Sequence, residues 1–226
     1  VPIDNYNKLQ AAIADTVNRD DLSADVTAFS PAQIDGAIKR AISYAEKAIQ
    51  RDLVARGGIK YMETVKNTLT TTAGQETLAL PADFLGVRVL AVTAEPTRVL
   101  EFVDPNTLFM QYPSSAKGTP EKYTLVGTST AYMRPIPDGA YPLRLIYTAA
   151  LPALSSEQTS NWLLLNAPDL YIGAAMLELC IYLENDDRLQ FWKMYYDERL
   201  NALLGDDKNA RWSAVPVKPN LQVALA

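Results

Sequence analysis

Near the start of the chain, Tyr6, Leu9, Ile13 and Val17 recur at three- and four-residue spacing among Asn, Lys, Gln and Asp. That spacing is the mark of a helix with one apolar face, and Asn18-Arg19-Asp20-Asp21 closes it. A second helix is signalled by Ser30 as N-cap, Pro31 at the first helical position and Gln33 three residues after the cap. Its apolar stripe runs through Ile34, Ile38, Ala41, Ile42, Ala45, Ile49 and Leu53. Gly57-Gly58 stops it, because glycine adopts the left-handed conformation at a helix C-terminus without a Cβ clash.

Beyond Gly58 the period changes. Residues 59–72, rich in Thr, Val and Tyr, and Thr77-Leu78-Ala79-Leu80 before Pro81 both read as strands. Strands are also expected at 87–92 and 98–102, joined by a turn around Ala94-Glu95-Pro96. Asp104-Pro105 caps a short helix reaching Met110, and 113–120 reads as a surface loop. Three further strands, 123–126, 131–134 and 143–148, are expected to be linked as hairpins by Gly127-Thr128 and Pro137-Asp138-Gly139. Helix returns near residue 160, first as the short apolar piece Asn161-Trp162-Leu163-Leu164-Leu165. Pro168 then opens a longer helix carrying Leu170, Ala174, Leu177 and Ile181. Glu184-Asn185-Asp186-Asp187 turns into a last helix whose Leu189, Trp192, Tyr196, Leu200 and Leu203 face inward, with Gly205 as its expected end.

Two helical hairpins, each leaving one apolar face, flank a β block, and the simplest way to cover those faces is to pack the hairpins on each other. The expectation is therefore an α+β protein. Residues 1–56 and 157–212 form a four-helix bundle, 57–156 an inserted antiparallel β domain, and 213–226 an extended C-terminal arm. No internal repeat or low-complexity tract interrupts this order.

Composition narrows the chemistry. The chain has 226 residues, 48% of them hydrophobic, enough for a sizeable core. It contains no histidine, which excludes Ser-His and Cys-His nucleophile pairs and every histidine-ligated metal site. The one cysteine, Cys180, leaves no intrachain disulfide and sits among Leu177, Leu179 and Ile181 as an expected buried hydrophobe. No run reaches the roughly 18 uncharged apolar residues of a membrane span; the best, 171–183, carries Glu178. Val1-Pro2-Ile3-Asp4-Asn5 lacks a basic region followed by an apolar block, so no secretory signal is expected and the chain reads as soluble and intracellular. A net charge of -5 and a pI near 4.9 speak against a protein that grips duplex DNA, yet suit the wall of a channel along which DNA slides.

The acidic pairs Asp20-Asp21, Asp186-Asp187 and Asp206-Asp207 are the nearest approach to catalytic carboxylates. Each falls at an expected helix boundary, where Asp caps and complements the dipole, and none matches the Ca2+ loop spacing. No phosphate-binding glycine motif occurs. The expectation is no enzyme, no cofactor and no metal. The C-terminal end carries the interaction candidates. Arg211-Trp212 is a residue pair of the kind enriched at interface hot spots, and it has two readings: an anchor on a neighbouring subunit, or a return of Trp212 onto its own helix. Val215, Val217, Leu221 and Val223, with Leu225, make the last fourteen residues too apolar for a solubilising linker. Extended, they reach about 45 Å, which favours a partner-bound arm that adds to a sheet edge over a frayed terminus.

Several stretches resemble one family. Tyr6-Asn7-Lys8-Leu9-Gln10-Ala11-Ala12-Ile13-Ala14 and Leu80-Pro81-Ala82-Asp83-Phe84-Leu85 are similar to segments of head-to-tail adaptor proteins of short-tailed bacteriophages. So are Gly118-Thr119-Pro120-Glu121-Lys122-Tyr123, Arg134-Pro135-Ile136-Pro137-Asp138-Gly139, and Tyr147 with Leu151-Pro152-Ala153-Leu154-Ser155. The most telling are Thr159-Ser160-Asn161-Trp162-Leu163-Leu164 and Pro168-Asp169-Leu170-Tyr171. Together they cover most of the chain in the right order. The resemblance implies a virion structural protein of the neck, assembled in the host cytoplasm as a dodecameric ring. Its implied partners are the portal protein, a tail nozzle or hub protein, further copies of itself, and genomic DNA passing without specific binding. A gatekeeper (tail tubular) protein of the nozzle is the alternative within that plan. A virion-associated hydrolase and a host-surface adhesin are the alternatives outside it.

Overall fold

The computed structural model describes residues 2–17, 31–112, 116–183 and 186–212. Among them are six α-helices and eight strands in two sheets, an α+β fold. The chain divides into two compact units, Val1–Arg51 with Ala153–Ala226, and Asp52–Pro152.

The helical unit begins with α1 (Tyr6–Val17), which buries the stripe its spacing predicts, Tyr6, Leu9, Ile13 and Val17. Asn5 supplies its cap: the side-chain oxygen accepts the Lys8 backbone N–H at 2.9 Å. The Lys8 ammonium also pairs with Asp4 at 2.8 Å and holds that carboxyl below its usual range. α2 (Pro31–Ala55) buries Ala37, Ile38, Ala41, Ile42, Ala45, Ile49 and Leu53. Ser30 and the side chains of residues 31–35 lie outside the described set. The helix ends as Gly57-Gly58 dictates. The Gly58 N–H reaches the Leu53 carbonyl at 2.8 Å and the Gly57 N–H the Val54 carbonyl at 3.0 Å. These are the paired 6→1 and 5→2 bonds of a Schellman ending, with Gly57 at φ +92°.

After the β block come α4 (Trp162–Asn166), α5 (Pro168–Tyr182) and α6 (Asp186–Trp212). Asn161 caps α4, accepting the Leu164 N–H at 2.9 Å. α5 is the most buried helix, covering Leu170, Tyr171, Gly173, Ala174, Ala175, Met176, Leu179 and Cys180, and it packs against α1, α4 and α6. An added Cβ on Gly173 would lie 3.0 Å from the Tyr195 ring of α6, so glycine here permits the close approach of α5 and α6. Arg199 of α6 also pairs with Asp169 at 3.4 Å. Three expectations fail in this unit. Ile181 is 65% exposed, while Leu177 is half-buried. The last helix runs through Gly205 to Trp212. A helical glycine costs only about 1 kcal/mol relative to alanine, too little to stop a helix anchored by buried Tyr196, Leu200 and Asp207. Leu189, Trp192 and Leu203 are half-buried, at the margin of the interface and not inside it.

The β unit contains β1 (Glu63–Thr70), β2 (Thr77–Ala79), β3 (Phe84–Val92), β4 (Arg98–Val99), β5 (Glu101–Phe102), β6 (Lys122–Val126), β7 (Thr130–Arg134) and β8 (Pro142–Ala149), with α3 (Pro105–Gln111) between β5 and β6. One sheet has the order β1-β8-β3-β4 and the other β2-β7-β6-β5. Inward residues of both sheets, among them Leu90, Leu143, Leu145, Tyr123, Ala131 and Met133, share one core, so the unit is a two-sheet sandwich. Asp104 caps α3 as its sequence predicts, accepting the Asn106 N–H at 2.9 Å.

The sheets also correct the sequence reading. Residues 60–62 form a 3-10 turn ahead of β1, where a strand from Ile59 is expected. The segment 98–102 is not one strand: β4 pairs with β3 in the first sheet and β5 with β6 in the second. Buried Leu100 lies at the crossing, its N–H donated to the Leu90 carbonyl at 2.8 Å. The β5–β6 pair is parallel, so the domain is not wholly antiparallel. β6 and β7 do form the hairpin expected at Gly127. Pro137-Asp138-Gly139, by contrast, carries the chain from β7 in one sheet to β8 in the other. Thr71 clasps that crossing: its hydroxyl donates to the Gly139 carbonyl at 2.9 Å and accepts the Tyr141 N–H at 2.8 Å.

Candidate interaction surfaces

The titratable chemistry of the helical unit is structural. Glu46, on the third turn from the end of α2, accepts the Leu154 backbone N–H at 2.8 Å. The Tyr171 hydroxyl lies 3.3 Å from the same carboxylate oxygen and accepts from the Asn161 amide at 2.8 Å. Burial is the largest influence on Glu46 and raises its pKa, while the Leu154 N–H and Tyr171 hydrogen bonds oppose it. Burial likewise pushes the Tyr171 hydroxyl well above its usual value. This network ties α2, α4 and α5 to the segment where the chain re-enters the helical unit. Cys180 is buried and free, and burial pushes its thiol up, against the pull of Arg188; a raised thiol is a poor nucleophile.

The acidic pairs do not assemble a site. Asp186 is the first residue of α6, where a carboxylate suits the helix dipole. Asp206-Asp207 lies inside α6, not at a boundary, and Asp207 is buried. Asp20-Asp21 lies outside the described residues. Among the described residues no group of His, Cys, Asp or Glu is arranged to hold a metal ion, and no helix is long and apolar enough to cross a membrane.

Of the expected interaction residues, Arg211 and Trp212 are the last two residues of α6, and their side chains lie outside the described set. Val215, Val217, Leu221, Val223 and Leu225 also lie outside it. The structure adds surfaces that periodicity did not single out. Tyr44 of α2 and Ile181 and Tyr182 of α5 are exposed beside a shallow groove of about 220 Å³, lined also by Ala37, Arg40 and Glu178. The Arg40 guanidinium lies 5.8 Å over the Tyr182 ring. On α6, exposed Phe191 and Met194 flank an aromatic cluster in which Phe191 and Trp192 meet edge to face at 5.2 Å. In the β unit, Val65, Val99, Phe102 and Met110 are exposed. Periodicity gives no signal for such positions: Ile181 keeps helical spacing with Leu170, Ala174 and Leu177 and is exposed all the same.

Both units leave apolar groups exposed at their surfaces. Where exposed apolar groups are contiguous, they mark association surfaces. The sequence belongs to the SU10 adaptor protein family, whose model matches residues 4–220. The match makes it a bacteriophage head-to-tail adaptor, a class of virion structural protein. Comparison with curated proteins gives no match.

Proposed function

We propose that this adaptor joins the portal to the tail nozzle or hub and extends the DNA channel as a dodecameric ring. The family match across residues 4–220 carries the reading. Residues 1–56 and 157–212 act as the ring's helical scaffold, with α1, α2, α5 and α6 as a four-helix bundle. Residues 57–156 are the inserted domain, and residues 213–226 the arm that seals neighbouring contacts. Within the arm, Val215, Val217, Leu221 and Val223 bury apolar surface on a partner, and Arg211 and Trp212 anchor its root. The net charge of -5 supports passage of genomic DNA without capture. Assembly takes place in the host cytoplasm, where the portal is met.

Mixing the purified chain with its portal and imaging the product tests this directly. A ring seated on the portal, with its symmetry visible end-on, is the expected result; a chain that stays monomeric in the mixture refutes it. Truncation after Asn209 should abolish neck assembly in virions, and intact necks would remove the arm from the account. Tight duplex binding at low salt would refute the channel role.

A further inference from the structure

We infer that the C-terminal arm of one copy pairs, as an added strand, with the open edge of β1 in a second copy. The inference deepens the role of the arm proposed above and rests on it. Strand addition needs several consecutive backbone groups on a free edge. Among the described residues there are four edge strands: β2 has three residues and β4 and β5 have two each, whereas β1 has eight. A register shift between Lys66 and Leu69 interrupts its second half, leaving the stretch around Val65 as the regular part.

The outward face of that part is apolar where it matters. Val65 stands opposite Ile146 of β8, and Ile146 opposite Val89 of β3, making one cross-strand row. Val65 ends the row 54% exposed, an apolar side chain with no further strand beside it. The arm has the matching pattern. Leu221, Val223 and Leu225 alternate with Gln222, Ala224 and Ala226, the period of a strand with one apolar face. Pro216 and Pro219 lack an N–H and so confine ladder pairing to the residues after Pro219. Setting Val223 beside Val65 lengthens the row by one residue and puts Leu221 and Leu225 on the same face. A contact between two different surfaces, arm and edge, propagates from copy to copy, as a ring does whose rotation between copies closes.

Directly paired residues on adjacent strands lie within disulfide reach. Full-length chains carrying Val65→Cys and full-length chains carrying Val223→Cys would be mixed, alone and with portal protein, and oxidised mildly. A V65C–V223C heterodimer is expected, whereas V99C, on the opposite edge of the same sheet and 68% exposed, should give none with V223C. Amides of residues 64–67 should exchange about tenfold more slowly in the assembled protein than in the free chain. Absence of the heterodimer in both mixtures overturns the inference. Cross-linking of Val223→Cys to the portal alone sinks it while leaving the adaptor reading intact. Failure of the chain to join the portal at all sinks the adaptor reading instead.

Discussion

Glu46 allows a sharp test of how the helical unit is held together. Its carboxylate is the acceptor for the Leu154 N–H at 2.8 Å and lies within reach of the Tyr171 hydroxyl. Glu46→Ala leaves that N–H without its acceptor in a segment where Leu154 is buried. A hydrogen bond to a charged group contributes about 1.5–3 kcal/mol, and relief of the buried charge returns part of that, leaving a net loss of about 1–2 kcal/mol. Glu46→Gln keeps an oxygen for Leu154 and removes the charge. The pH sign follows from the raised pKa. The folded protein holds the Glu46 proton more tightly than the unfolded chain does. The stabilisation from this group is therefore complete below its ordinary value of 4.5 and is lost as pH rises through the higher folded value. E46Q should accordingly gain on the wild type as pH rises. Tryptophan fluorescence reads this unit selectively, because Trp162, Trp192 and Trp212, all three tryptophans, belong to it. In urea melts the E46A midpoint should lie below that of the wild type by about 0.5–1 M at about pH 8, and by more at about pH 4. Equal midpoints for E46A and E46Q, or a wild-type to E46Q difference that does not change with pH, would refute the reasoning.

Two glycines should respond in opposite directions. Gly57→Ala forces a Cβ onto φ +92° and should cost about 1–2 kcal/mol. Gly205→Ala sits inside a helix with open space around the new methyl and should add about 1 kcal/mol; paired thermal melts compare them. Leu143→Ala empties a fully buried position in the sandwich core and should cost about 2–5 kcal/mol. Hydrogen exchange in β3 and β8 should read that loss with little change in the tryptophan signal. Gly173→Ala pushes a methyl against the Tyr195 ring and should cost about 1–3 kcal/mol, seen as a lower urea midpoint by tryptophan fluorescence.

Much of the helical unit could be read from the chain because its information is local. The stripes of α1 and α2 and the Gly57-Gly58 ending arise among residues a few places apart, and so does the Asp104 cap in the β unit; the Asn5 cap is equally local, but periodicity does not single it out. The absence of histidine removes whole classes of chemistry without reference to a fold. Alternation also located most strands, since a period of two places one face against a core. It does not say which sheet a strand joins. Only tertiary packing split 98–102 around buried Leu100, made β5 parallel to β6 and carried 137–139 between sheets, because those choices depend on hydrogen bonds to residues distant in sequence. The same holds for α6, where burial of Tyr196 and Leu200 outweighs the small local cost of Gly205. The edge position of β1 is likewise set by strand order and not by composition: the residues of β1 specify a strand, but the sheet alone decides that, among the described strands, it neighbours β8 and no other.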